Sequence, residues 1–194
     1  MKKIIFSLLL LFLVKVAVAQ KDSLSFDERN KYIYYHVVEQ PGLTVDTFQN
    51  RMRYLLKTIY PQNKINQPAA PGSISGTGTF LISTGLTAAK HIDGEMAYSF
   101  YIEYKDQKYR YWLTDFVYTP YKVDRYGNSV PEQGIDIPLE QGGAKLTQSQ
   151  FSTYLTKTAV YSIQFGEKIK QYMTRISAAP KENDKKKVIV TKSW

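Results

Sequence analysis

His36 and His91 are the only imidazoles in this 194-residue chain, and cysteine is absent. A Ser-His-Asp relay would need one of these two as its base. The lack of thiols removes a cysteine nucleophile, Cys-ligated zinc, a disulfide scaffold and a Cys-anchored lipid. His36 falls within Lys31–Gln40, a segment that suits a strand, and His91 within the turn-like link Ala89-Lys90-His91-Ile92-Asp93-Gly94. No HExxH or EF-hand spacing gathers carboxylates around either ring, so no metal and no cofactor are expected. Glu103 and Asp115 lie on neighbouring predicted strands, as a glycosidase pair would, but strict alternation sends them to opposite faces. Arg110 facing Glu103 also favours a permanent carboxylate over a raised-pKa acid. Gly76-Thr77-Gly78 lacks the third glycine of a dinucleotide fingerprint and reads as strand glycines that let a helix approach closely. The inventory points to a protein that is not an enzyme. A small periplasmic hydrolase built from scattered acids and a histidine is the competing reading.

Aromatic chemistry is better supplied, with 16 Tyr, 9 Phe and 2 Trp. Glu95–Tyr118 reads as a hairpin turning at Lys105-Asp106-Gln107-Lys108 through a two- or four-residue loop. Either loop sets Tyr104 against Tyr109, Ile102 against Tyr111 and Phe100 against Leu113 on one apolar face. The other face pairs Glu103 with Arg110, Tyr101 with Trp112 and Ser99 with Thr114. If the first face carries helices, then Tyr101, Arg110, Trp112, Phe116 and Tyr118 occupy an open face. Large aromatics beside an arginine there could stack on sugar rings, pack a peptide or join two copies of the chain. Cover by other segments, or cross-strand support and nothing more, is the structural alternative.

The elements that must position these residues are legible in outline. Tyr-, Val- and Ile-rich Lys31–Gln40 is a strand ended by Gln40-Pro41-Gly42. Thr44 caps a helix whose apolar positions are Val45, Phe48, Met52, Leu55, Leu56 and Ile59, stopped at Tyr60-Pro61. Residues 61–72 read as a loop. Ser73–Ser83 alternates with Ile74, Gly76, Gly78, Phe80 and Ile82 on one face. Residues 120–146 are heavily punctuated by Gly and Pro and hold at most a short edge strand near Ile135–Leu139. Thr147 and Gln150 form a capping box for a last helix along Phe151, Leu155, Thr158, Ser162, Phe165, Ile169, Tyr172 and Ile176. About thirty residues at 1.5 Å each make roughly 45 Å, longer than a five-stranded sheet is wide, so part of this helix is expected to project.

The ends carry the remaining signals. Lys2-Lys3, an apolar run from Ile4 to Val14 and Ala17-Val18-Ala19 make residues 1–19 a signal peptide for export, with the mature chain starting at Gln20. The run is too short to span a bilayer comfortably, so no transmembrane segment is expected after cleavage. The protein is then periplasmic, extracellular or at the cell surface. Of 26 basic and 17 acidic residues, the signal removes Lys2, Lys3 and Lys15, which lowers the net charge from +9 to +6. An exported chain does not meet nucleic acid, so a cell-envelope protein, a glycan or a second copy is the expected kind of partner. Residues 20–30 read as a linker, 31–178 as one domain and 179–194 as a basic tail.

Val38-Glu39-Gln40-Pro41-Gly42 before a helix, Gly76-Thr77-Gly78 in a strand, and Lys105-Asp106-Gln107-Lys108-Tyr109-Arg110-Tyr111 leading to Phe116 resemble one known family. It is an exported bacterial domain of unknown function with a TBP-like fold, matched over roughly residues 31–120. The resemblance implies an α+β fold of order β-α-β-β-β-(β)-α, with two helices on one face of an antiparallel sheet and the other face open or slightly concave. It implies no catalytic residues and no DNA binding, since the TATA-binding arrangement uses two copies of such a domain. What is left is an exported binding or assembly module that uses the aromatic face, the long C-terminal helix, or both.

Overall fold

The computed structural model describes residues 24–66, 70–85 and 91–174. The expected signal peptide, the tail and Ile176 lie outside the described residues. In chain order the elements are β1 (Ser25–Phe26), β2 (Tyr32–Glu39), α1 (Val45–Ile59), β3 (Lys64–Ile65), β4 (Ser73–Thr84), β5 (His91–Lys105) and β6 (Lys108–Val123). β7 (Ser129–Pro131), β8 (Ile137–Pro138), a 3-10 turn (Leu139–Gln141), α2 (Gly142–Lys145) and α3 (Gln148–Met173) follow. The strands form one antiparallel sheet of order β1-β2-β6-β5-β4-β3, with β7 and β8 also paired to β6. The helices cover one of its faces. Among the described residues, no helix is long and apolar enough to cross a membrane.

Local chemistry explains the boundaries. Thr44 accepts the Thr47 amide and starts α1, while Thr147 and Gln150 exchange both bonds of the capping box at α3. Asp106 and Gln107 both adopt positive φ, 51° and 57°, which closes the β5–β6 hairpin with a two-residue turn matched to strand twist. Its register is the expected one: Tyr104↔Tyr109, Glu103↔Arg110, Ile102↔Tyr111, Tyr101↔Trp112, Phe100↔Leu113 and Ser99↔Thr114.

Beyond Ser99 the alternation breaks. Ala97 pairs with Val117, so Tyr98 alone faces both Asp115 and Phe116. Asp115 is the extra residue and takes φ 52°. A bulge of one residue moves every later side chain to the other face. Phe116 and Tyr118, expected on the open face, are therefore 0% and 3% exposed and belong to the core under the helices.

The core joins Phe48, Met52, Leu55 and Leu56 of α1 and Phe165, Ile169 and Met173 of α3 to Phe100, Ile102, Tyr109, Tyr111 and Leu113 of the sheet. Burial continues along α3 from Tyr154 to Met173, so no described part of this helix projects. The expectation of a projecting helix compared its length with the width of the sheet. Its 26 residues, about 39 Å, are instead met by residues down the length of β5 and β6. Strands of 15 and 16 residues are about 50 Å long. The Met173 carbonyl accepts from the Arg51 guanidinium of α1, which satisfies one terminal helix acceptor.

Three further expectations are corrected. Residues 25–26 are not linker but pair with Tyr32 and Ile33, and Glu140 fixes the same end by accepting the Tyr32 amide at 2.9 Å and the Lys31 ammonium at 3.3 Å. The 61–72 loop contains β3, which pairs with Gly76 and Thr77. The nearest neighbours of Gly76 and Gly78 are not helical. A Cβ at Gly76 would lie 2.7 Å from the Phe100 ring, and one at Gly78 2.6 Å from the Tyr98 hydroxyl, so their smallness serves the neighbouring strand. In 120–146, the short strand near Ile135–Leu139 exists as β8, and β7 precedes it.

Candidate functional site

β2, β5 and β6 present their alternate side chains away from the helices, and this open face carries the predicted residues that survive the bulge. Tyr101 and Trp112, directly paired across β5 and β6, stack at 5.0 Å between ring centroids with planes 11° apart. The Arg110 guanidinium sits 5.4 Å over the Trp112 ring, and its Nη2 meets Glu103 Oε2 at 2.6 Å. That hydrogen bond, with the Tyr35 side chain adding to it, holds Arg110 above the ordinary arginine pKa. Phe116 and Tyr118 take no part. The Tyr118 hydroxyl donates instead to the Asp93 carbonyl at 2.8 Å on the helix side, and burial pushes its pKa well up.

The sequence reading missed Tyr35. It stands opposite Trp112 on β2, is 46% exposed, and has its ring centroid 6.3 Å from that of Trp112. Val37, 53% exposed, follows on the same face. Alternation from the buried Tyr34 would have found both. It is masked in Tyr-Ile-Tyr-Tyr-His-Val-Val because nearly every position is apolar or aromatic.

The aromatic ridge lies between two shallow depressions. One, of about 320 Å³, opens toward the hairpin turn between Val37, Lys105 and Lys108. The other, of about 370 Å³, lies between Tyr101, Trp112 and the loop that carries Arg29. Asp27 shapes that loop: its carboxylate accepts the Arg29 and Lys31 amides at 2.9 and 2.8 Å and the Arg29 guanidinium at 2.8 Å. Burial opposes ionisation of Asp27, yet these donors together hold its pKa below the usual value. Arg29 also reaches Asp115 at 3.6 Å, so the bulge residue marks where the aromatic patch ends.

The catalytic candidates do not converge. His36, half-buried on the helix side, packs its ring 4.6 Å from Tyr34 and 5.8 Å from Tyr111. His91 meets a carboxylate and a hydroxyl through Nε2, Asp93 at 2.8 Å and Thr84 at 3.2 Å. A relay needs the acid on one ring nitrogen and the nucleophile on the other. Among the described residues, no three His, Asp or Glu side chains form a metal-binding group.

One layer of helices on an antiparallel sheet with its other face open places the chain in the α+β class with a TBP-like fold. Residues 34–119 match the family described as domain of unknown function (DUF4468) with TBP-like fold, the resemblance carried by the sequence motifs. A crystal structure of a DUF4468 family protein from Bacteroides ovatus ATCC 8483 superposes with a TM-score of 0.57 at 12% identity, over 81% of this chain and 94% of that one. A TBP-like protein from Parabacteroides distasonis ATCC 8503 gives 0.58 at 14% identity, over 77% and 96%. No curated protein matches the chain.

Proposed function

We propose that this protein is an exported, non-enzymatic binding or assembly module whose contact surface is the open sheet face at Tyr35, Tyr101, Arg110 and Trp112. The observation that carries the reading is a run of aromatic side chains on the sheet face opposite the helices, between depressions with charged rims. Exposed aromatic clusters rimmed by charge are characteristic of contact surfaces. In the Tyr101–Trp112 stack each ring turns one face to the other, which leaves less ring surface for a sugar and favours a polypeptide partner, with a second copy the simplest. Export rests on residues 1–19. The hydrolase alternative is weakened by the Glu103–Arg110 pair, which favours a permanent carboxylate. Sedimentation of the chain starting at Gln20 tests the reading. A dimer that Trp112→Ala weakens at least tenfold supports it, and a strict monomer at 100 µM removes the second copy as partner.

A further inference from the structure

We propose that the outer edge of β4, from Thr79 to Ser83, pairs antiparallel with the same edge of a second copy, joining two sheets about a two-fold axis at Leu81. On its inner side β4 pairs with β5 from Ser73 to Thr84, while on its outer side β3 opposes Gly76 and Thr77. Two backbone bonds fix the phase. The Tyr104 amide of β5 donates to the Gly72 carbonyl at 2.8 Å, and the Asn66 amide beyond β3 donates to the Ser75 carbonyl at 2.8 Å. Alternation then points the amide and carbonyl groups of Thr77, Thr79, Leu81 and Ser83 outward. Lys64 opposes Thr77, and among the described residues no strand pairs with Thr79, Leu81 or Ser83 on that side.

Charge, proline or a bulge ordinarily blocks such an edge, and this one has none of them. β4 reads Ser-Ile-Ser-Gly-Thr-Gly-Thr-Phe-Leu-Ile-Ser-Thr, without a charged residue or a proline. The irregularity between Ile82 and Ser83 puts its extra residue, Asp93, on β5, so β4 itself runs unbroken. Leu81 is 56% exposed. The free stretch also fits its own copy. A strand paired antiparallel with itself makes an isologous contact, which closes at two members. With β3 holding the outer side as far as Thr77, the free stretch centres on Leu81. That centre sets Leu81 against Leu81 of the second copy and Thr79 against Ser83, each pair exchanging both backbone bonds. Thr–Ser pairs of this kind add a cross-strand hydrogen bond. On the helix side Phe80, partly buried beneath Tyr161, opposes Ile82 of the second copy. The chain carries a net charge of +9, yet no charged side chain enters the pairing. The axis is perpendicular to the sheet, so both Tyr101–Trp112 stacks stay free on one side.

The absence of cysteine makes a direct test in the chain starting at Gln20. Leu81→Cys sets two thiols opposite each other at the axis, with Cα atoms about 5.5 Å apart and within disulfide reach. Thr79→Cys, on the same exposed face, sets them four residues out of step, about 14 Å apart. Under mild oxidation Leu81→Cys is expected to join two chains at least tenfold faster than Thr79→Cys. Equal rates overturn the proposal. Repeating the comparison with Trp112→Ala present separates this contact from the open-face reading. An unchanged ratio supports edge pairing, whereas a ratio that falls to one assigns the association to the open face and overturns the proposal. Amide exchange of the unsubstituted chain adds a second readout. Exchange at Thr79, Leu81 and Ser83 is expected to be at least tenfold slower in concentrated than in dilute solution. Slow exchange at every concentration would mean that the chain covers its own edge, and fast exchange at every concentration that the edge stays bare. Either result overturns the proposal.

Discussion

The two faces of the β5–β6 hairpin are built from nearly the same side chains and differ in what lies against them. On the helix side, Tyr98, Phe100, Tyr109, Tyr111 and Leu113 are at most 2% exposed and meet Phe165, Phe48 and Gly166 from α3 and α1. Their hydroxyls are buried, and those of Tyr98 and Tyr161 share a hydrogen bond of 2.7 Å. On the open side, Tyr101, Trp112 and Tyr35 meet one another and Arg110. Aromatic content alone does not separate core from contact surface. Position relative to the bulge at Asp115 does, because it decides which of two similar sets of rings the helices cover.

Replacing Phe116 and Tyr118 together by alanine attacks that division directly and carries the largest expected effect. With both rings held under the helices by the bulge, the core loses two of its members. Losing a buried aromatic costs about 3–5 kcal/mol, and two such losses rival the whole stability of a typical domain, about 5–15 kcal/mol. The expected outcome is a chain without a cooperative unfolding transition by near-UV dichroism. A double variant that unfolds cooperatively at the wild-type denaturant midpoint would show that strict alternation holds and that the two rings lie on the open side.

Alkaline pH separates the faces next. Burial raises the pKa of Tyr98, Tyr109, Tyr111, Tyr118 and Tyr161 above the ordinary tyrosine value. For an acid whose folded pKa is raised, the stabilisation is complete below the unfolded pKa, about 10, and is lost as pH rises from there toward the folded value. Each such tyrosine removes about 1.4 kcal/mol per pH unit in that window. Several together predict that the fold collapses above about pH 10, with tyrosinate absorbance at these positions rising together with loss of near-UV dichroism. Complete tyrosine ionisation with the dichroism intact would contradict the burial of these hydroxyls.

How much of this was legible in the sequence follows from the kind of information each feature needs. The hairpin register was legible because charge pairs and aromatic pairs on both faces agree on one alignment. The capping residues Thr44 and Thr147 were legible because they satisfy specific backbone donors within three positions. The bulge left a trace, since bulky apolar residues run Leu113, Phe116, Tyr118, a step of three before the step of two returns. Asp115, of a type that tolerates positive φ, stands inside that step. Reading the strand as strictly alternating overlooked it and misplaced two of the five predicted surface residues. β1, β3 and the direction of α3 depend on long-range contacts such as Glu140 with Tyr32, which no local pattern encodes.

The smallest effect is expected where the open face is altered without a partner present. Tyr101 and Trp112 are only partly buried, and a stacked pair adds about 0.5–1.5 kcal/mol beyond its area. A double-mutant cycle with Tyr101→Leu and Trp112→Leu is therefore expected to give a coupling near 1 kcal/mol. The Arg110–Glu103 pair, with side chains 51% and 39% exposed, adds a few tenths at most. A coupling of 3 kcal/mol or more would mark the stack as a structural clasp that holds β5 to β6. Values near 1 kcal/mol leave these rings cheap to alter for folding, and the cost of changing them is then to be sought in what the face contacts.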